Sequence, residues 1–131
     1  QRLLDNDSVV KTQADKLNQV RYNVGFCLYG NPLPGTLALF ASDVAWSLPT
    51  SGPGVARSSV AAAASTVLTL TKNGTQIGTI TFGAASTTGT VVVSSAQTFA
   101  AGDTLGINGP TVADSTLSTV AITISGMQSY A

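Results

Sequence analysis

Apolar positions are spaced in two different ways along this chain. Up to Arg21, Leu3, Val10 and Leu17 recur every seven residues with Val20 three beyond, and neither Pro nor Gly interrupts them. That is the seam of a short parallel coiled coil. Asn6 and Gln13 take the intervening seam positions, where polar residues cost stability but help to set register and oligomer number. Three heptads are too few to hold an assembly alone, so the body that follows is expected to contribute. The alternative is an amphipathic helix lying on its own body, its apolar face widened by Leu4, Val9 and Ala14.

From Tyr22 the period changes to short apolar runs separated by turn residues. Tyr22 to Tyr29 reads as a strand and ends at the loop Gly30-Asn31-Pro32-Leu33-Pro34-Gly35. Thr36 to Ala41 and Val44 to Leu48 follow as strands, then the irregular stretch Pro49 to Gly54. The strongest local signal is Thr66 to Phe82, where Asn73-Gly74 is the favoured pair for a two-residue type I′ turn because both positions need positive φ. That turn sets Leu70 opposite Ile77. Apolar residues then resume at Ile80 and Phe82, one position late, which predicts a β-bulge at Gly78-Thr79 and places Ile80 against Leu68. Thr69, Thr71, Thr79 and Thr81 are left on the other face. Thr88 to Ser94, Thr104 to Ile107 and Val120 to Ile124 complete about eight short strands, with Thr98-Phe99 leading into the turn Ala101-Gly102-Asp103. The expected fold is mainly β, an antiparallel, jelly-roll-like β-sandwich over 22–131, preceded by a short helical or coiled-coil stem over 1–21.

Charge sharpens this division. Of the twelve charged residues, seven lie in the first 21 positions, leaving the body Asp43, Arg57, Lys72, Asp103 and Asp114. Net charge is zero, so the electrostatic attraction that supplies most non-specific nucleic-acid affinity is missing, and nucleic acid is not an expected partner. The longest apolar run, Val60 to Ala64, is far below the roughly 20 residues of a membrane-spanning helix, and no membrane insertion is expected. The chain begins with Gln1, from which a removed or omitted N-terminal portion is expected. Cys27 is the sole cysteine. It excludes an internal disulfide and, lying in an apolar run, is expected to be buried and inert. With no histidine in the chain, nothing obvious would activate it as a nucleophile.

Little else can do chemistry. Polysaccharide hydrolysis needs two carboxylates flanking the bond, and the body's Asp43, Asp103 and Asp114 all fall in turn sequence, where Asp commonly caps backbone amides. Asp103, Asn108 and Asp114 are conceivable calcium ligands, with turn capping again the simpler account. Asn73-Gly74-Thr75 matches a glycosylation sequon that the hairpin turn explains equally well. No catalytic residue, metal site or cofactor is expected. Among the aromatic residues Trp46, Tyr22, Tyr29 and Tyr130, Trp46 alternates with Val44 and Leu48 and is expected in the core. Tyr29, with Asn31 in the adjoining loop, forms the candidate ligand contact, since an aromatic face suits the C–H face of a saccharide.

The serial order of Asn23-Val24-Gly25-Phe26, the Pro-Gly loop, Phe40 to Pro49, Lys72-Asn73-Gly74 with Ile77 to Phe82, Phe99 to Asp103 and Ala113 to Leu117 resembles a β-sandwich domain of bacteriophage tail-fibre and other virion-attached proteins. The resemblance covers most of the body. It implies a jelly-roll module akin to carbohydrate-binding modules, a homotrimer behind a stem, other virion proteins and a host-surface saccharide as partners, and a place on the virion. It carries over no functional residue. The rival expectations are a purely structural virion domain, such as a capsid decoration, head fibre or fibre spacer, and an enzyme that trims glycans.

Overall fold

The computed structural model describes residues 19–129, with side chains for 21–128. Ten strands make up all the regular structure in this span: β1 (Gln19–Leu28), β2 (Thr36–Ala41), β3 (Trp46–Leu48), β4 (Gly54–Val60), β5 (Thr66–Lys72), β6 (Thr75–Phe82), β7 (Thr88–Val93), β8 (Gln97–Phe99), β9 (Thr104–Asn108) and β10 (Ser118–Ser129). The body is mainly antiparallel β, as its alternating Thr, Val and Ile residues require. Strand β1 starts at Gln19, within the last positions of the expected stem. The rest of that stem, with Leu3, Val10 and Leu17, and the Val20 side chain lie outside the description.

Pairing is nested. β1 pairs with β10, β2 with β9, β3 with β8, β4 with β7 and β5 with β6, all antiparallel. The chain is therefore one long hairpin folded at Asn73-Gly74. Further ladders between β5 and β9, β6 and β7, and β4 and β10 roll that hairpin up on itself. The resulting strand order is β2-β9-β5-β6-β7-β4-β10-β3-β8, with β1 pairing β10 off this path.

Inward positions from the whole path meet in one core that includes Leu48, Leu68, Leu70, Ile80, Phe82, Phe99, Leu105, Ile107, Leu117, Val120 and Ile124, all at 0% exposure. Each such aliphatic or aromatic side chain contributes about 1.5–3 kcal/mol by leaving water. At one end of the core Trp46 stacks on Phe99 at 4.3 Å between ring centroids. Tyr22 of β1 packs against both Trp46 and Phe40 of β2, at 5.4 and 6.2 Å. These rings bring β1 and β2 together, which no ladder joins.

The turn at the centre is as expected, with Asn73 and Gly74 both at positive φ (51° and 86°). Leu68 pairs with Ile80 as the hairpin pattern predicts, but Leu70 pairs with Gly78, and the extra residue is Ile77. The bulge thus falls one position earlier than expected. A side chain at Gly78 would collide with the carbonyl oxygen of Val92 in β7. Gly78 must therefore stay in the ladder, and the bulge sends Ile77 into the core, 6% exposed.

Three other expectations are corrected. Cys27 is exposed, because Val24, Phe26 and Leu28 occupy the inward positions of β1 and Cys27 alternates with them. Thr71 points to the outer face yet is buried. Its Oγ1 lies against the site of Gly106 on β9, which Leu39 also covers. Finally, Gly54 to Val60 forms β4, and β10 extends well past Ile124.

Candidate functional site

Two surfaces compete for the role of contact site, the loop end and the outer sheet face. The loop end gathers the β1–β2, β4–β5, β6–β7 and β9–β10 connections. Asp114 is its hub. The carboxylate accepts backbone N–H bonds from Ala63, Ala64, Thr116 and Leu117 at 2.9–3.0 Å, and the Thr116 hydroxyl bond at 3.1 Å. These donors, Ala63 foremost, hold the Asp114 carboxyl far below the usual carboxylate range. Asn31 serves the same purpose, donating its amide to the carbonyls of Asp114 and Leu117, each at 2.9 Å. Its N–H donors are thus spent on the loop, which weakens it as a ligand contact. Tyr29 stands 85% exposed beside this network. Cys27, next but one on the same outward side of β1, pushes the Tyr29 phenol up from its ordinary value.

The candidate calcium residues do not converge. Asp103 closes the β8–β9 turn by accepting from the Ala100 N–H at 2.8 Å and the Asn73 amide at 3.2 Å. These contacts lower its pKa, the Ala100 bond most. Asn108 lies at the opposite end of β9, and Asp114 is committed to its own loop. No group of three metal-binding side chains is found among the described residues. The sequon residue Asn73 is likewise engaged, its Oδ1 accepting from the Thr104 N–H at 2.9 Å. Trp46 is in the core as expected, 2% exposed.

The outer face of β2, β9, β5, β6 and β7 is different in kind. Strand register sets its outward residues in cross-strand rows. One row runs Thr36, Asn108, Thr69, Thr79 and Val92. A second runs Leu39, Gly106, Thr71 and Gln76, and a third Val67, Thr81 and Thr90. None of these residues carries a formal charge. Two open depressions mark the face, one of about 490 Å³ among Pro34, Thr69, Thr71, Gln76, Asn108 and Pro110, and one of about 360 Å³ among Gln76, Gly78, Thr79, Val92 and Ser94. Gln76 lines both, so the two adjoin and lie side by side as a shallow trough. Among the described residues the side chains of Thr69, Thr79, Gln76 and Asn108 are not tied up in the hydrogen bonds that occupy Asn31 and Asn73. The Thr-rich face was legible in the hairpin sequence, but its joining to Asn108 and Val92 was not, because both pairings come from distant strands.

Comparison with protein-family models and with curated proteins gives no match. Among solved structures, a carbohydrate-binding module, CBM36, in complex with calcium and xylotriose is similar at 16% identity and a TM-score of 0.34, over 80% of this chain and 98% of that one. That likeness is too slight to transfer a binding site.

Proposed function

We propose that this protein is a non-enzymatic attachment module that binds neutral glycans on the outer face of β9, β5, β6 and β7. The observation that carries the reading is the trough itself: uncharged hydroxyl and amide groups in register across the strands, flanked by exposed Val67 and Val92. Hydroxyls and amides both donate and accept, as sugar hydroxyls do, and the valines suit the C–H faces of sugar rings. The face holds no deep pocket and no carboxylate pair. Single-site affinity is then low, and repetition supplies avidity. The nested, jelly-roll-like winding is well suited to presenting such a face.

The setting we propose is a bacteriophage tail fibre, on the strength of the motif order from Asn23 to Leu117, with three chains joined behind the Leu3, Val10, Leu17 and Val20 seam. The partners would be other virion proteins and a host-surface saccharide. Light scattering that gives a trimer supports this setting, and a stable monomer of the full chain removes it. Glycan binding is tested separately, on a panel of immobilised neutral and charged glycans. Saturable binding to neutral glycans that weakens in an Asn108→Ala, Gln76→Ala double variant is expected, and absence of binding to any glycan refutes the reading. The purely structural alternative has one observation in its favour: Leu39, Val67 and Val92 are 64%, 42% and 51% exposed on the same face, as a protein-docking surface would have them.

A further inference from the structure

Resting on the glycan reading, we infer that the ligand is an extended, neutral, β-linked chain that lies across the strands, with one sugar ring per strand along the row Asn108, Thr69, Thr79 and Val92.

Spacing decides the direction. Neighbouring strands lie about 4.8 Å apart, whereas successive outward residues on one strand are about 6.8 Å apart. Only the cross-strand interval is close to the advance of one pyranose ring along an extended β-1,4-linked chain. Chemistry agrees with spacing. Along β5 the outward positions change from exposed Val67 through half-buried Thr69 to buried Thr71, so a ligand following the strand would meet a different surface at each step. Across the strands, Asn108, Thr69 and Thr79 present a polar group at one level, each half-buried, before the row ends on Val92.

The depressions bound the length of the row. Asn108 and Thr69 line the one on the β9 side, together with Pro34, Gly35, Gly109, Pro110 and Thr111, and Thr79 and Val92 line the one on the β7 side. Thr36 of β2 lines neither, which leaves four residues on four strands for the chain. Three steps between four strands twist the row by roughly 60–75° in total. The row therefore suits a single, freely twisting chain better than the flat face of a crystalline fibre. A neutral floor gives a carboxylated sugar no counter-charge.

The test is titration of the full chain with cello-, xylo- and manno-oligosaccharides of increasing length, with β-1,4-linked oligomannuronates as the carboxylated counterparts and crystalline cellulose as the flat surface. Affinity for at least one neutral series is expected to rise with each ring to about four, one per strand, and then level off. It should be at least tenfold stronger than for oligomannuronates of equal length and unchanged by salt, and crystalline cellulose should retain no protein. Thr69→Val or Thr79→Val, each of which keeps the side-chain shape, should weaken binding about two- to tenfold, whereas Thr81→Val, one row away, should leave it unchanged. A plateau at one or two rings, equal affinity for the carboxylated series, or equal losses from Thr79→Val and Thr81→Val overturns the cross-strand inference while glycan binding stands. Binding of none of these series alongside binding of a branched or charged glycan overturns it also. Failure of every saccharide overturns the glycan reading and this inference together.

Discussion

Replacing Gly78 with alanine tests both the strand register and the reason for the bulge. An alanine Cβ at Gly78 would sit on the carbonyl oxygen of Val92 and only 3.2 Å from the Val92 carbonyl carbon and the Val93 Cα. All three are backbone atoms, so no side-chain rotation relieves the clash. β6 and β7 must part by on the order of 1 Å, which costs about 1–3 kcal/mol as overpacking. Weakening the ladder at the Gly78–Val93 pair adds about 0.5–1.5 kcal/mol. Gly78→Ala is thus expected to destabilise the protein by roughly 2–4 kcal/mol. The control is Gly25→Ala on β1, where a Cβ meets nothing within 4 Å. That change should be neutral or stabilising by up to about 1 kcal/mol, through lower unfolded-state entropy. Trp46, the single tryptophan, is buried against Phe99 and reports unfolding in denaturant by its fluorescence. A Gly78→Ala variant as stable as the parent, or a Gly25→Ala variant that is the weaker of the two, would refute the register on which the trough is built.

Three further outcomes follow from the same geometry. Phe99→Ala removes the ring beneath Trp46 and the partner of the Lys72 ammonium, 5.5 Å from its centroid. A loss of about 3–5 kcal/mol is expected in denaturant titration. Asp114 and Asp103 both have folded-state pKa values below their unfolded ones. Their stabilisation is therefore complete above the unfolded value of about 3.9 and is lost as pH falls through the folded values. Denaturation midpoints should hold between pH 7 and 5 and fall below about pH 4, and Asp114→Asn should lower the midpoint at pH 7 and flatten the acid decline. The Cys27 thiol, exposed on β1, should react with a thiol reagent in the folded protein without denaturant. A thiol that reacts only on unfolding would contradict its placement.

Local chemistry was legible in the sequence and long-range chemistry was not. Asn73-Gly74 demands its turn whatever surrounds it, and Leu68 against Ile80 follows from that turn alone. The bulge position depends on Val92, ten residues beyond the end of the hairpin at Phe82, and so was misplaced by one. Cys27 looked buried because Phe26, Cys27 and Leu28 are apolar in succession. Strict alternation from Val24 gives the correct side. β4 was missed because its only fully buried apolar residue is Ala56, with Val55 and Val60 exposed, which leaves no apolar period to read. Asn31 was chosen as a ligand contact from its loop, yet its partners lie 83 and 86 residues away. Asp114 as a turn residue was readable, but its reach to Ala63 and Ala64 was not. The Thr face could be seen one hairpin at a time, whereas the rows that give it length exist only once β9 and β7 are in register.

The central claim is that the neutral face, and not the loop network of Tyr29, Asn31 and Asp114, makes the contact. It is tested most directly by following backbone amide and threonine methyl resonances of the labelled protein while a neutral β-linked oligosaccharide is added. The account predicts shifts centred on Thr69, Gln76, Thr79, Val92 and Asn108, with Tyr29, Asn31 and Asp114 unmoved. Shifts confined to Tyr29 and the Asp114 loop, with the cross-strand row silent, would contradict it.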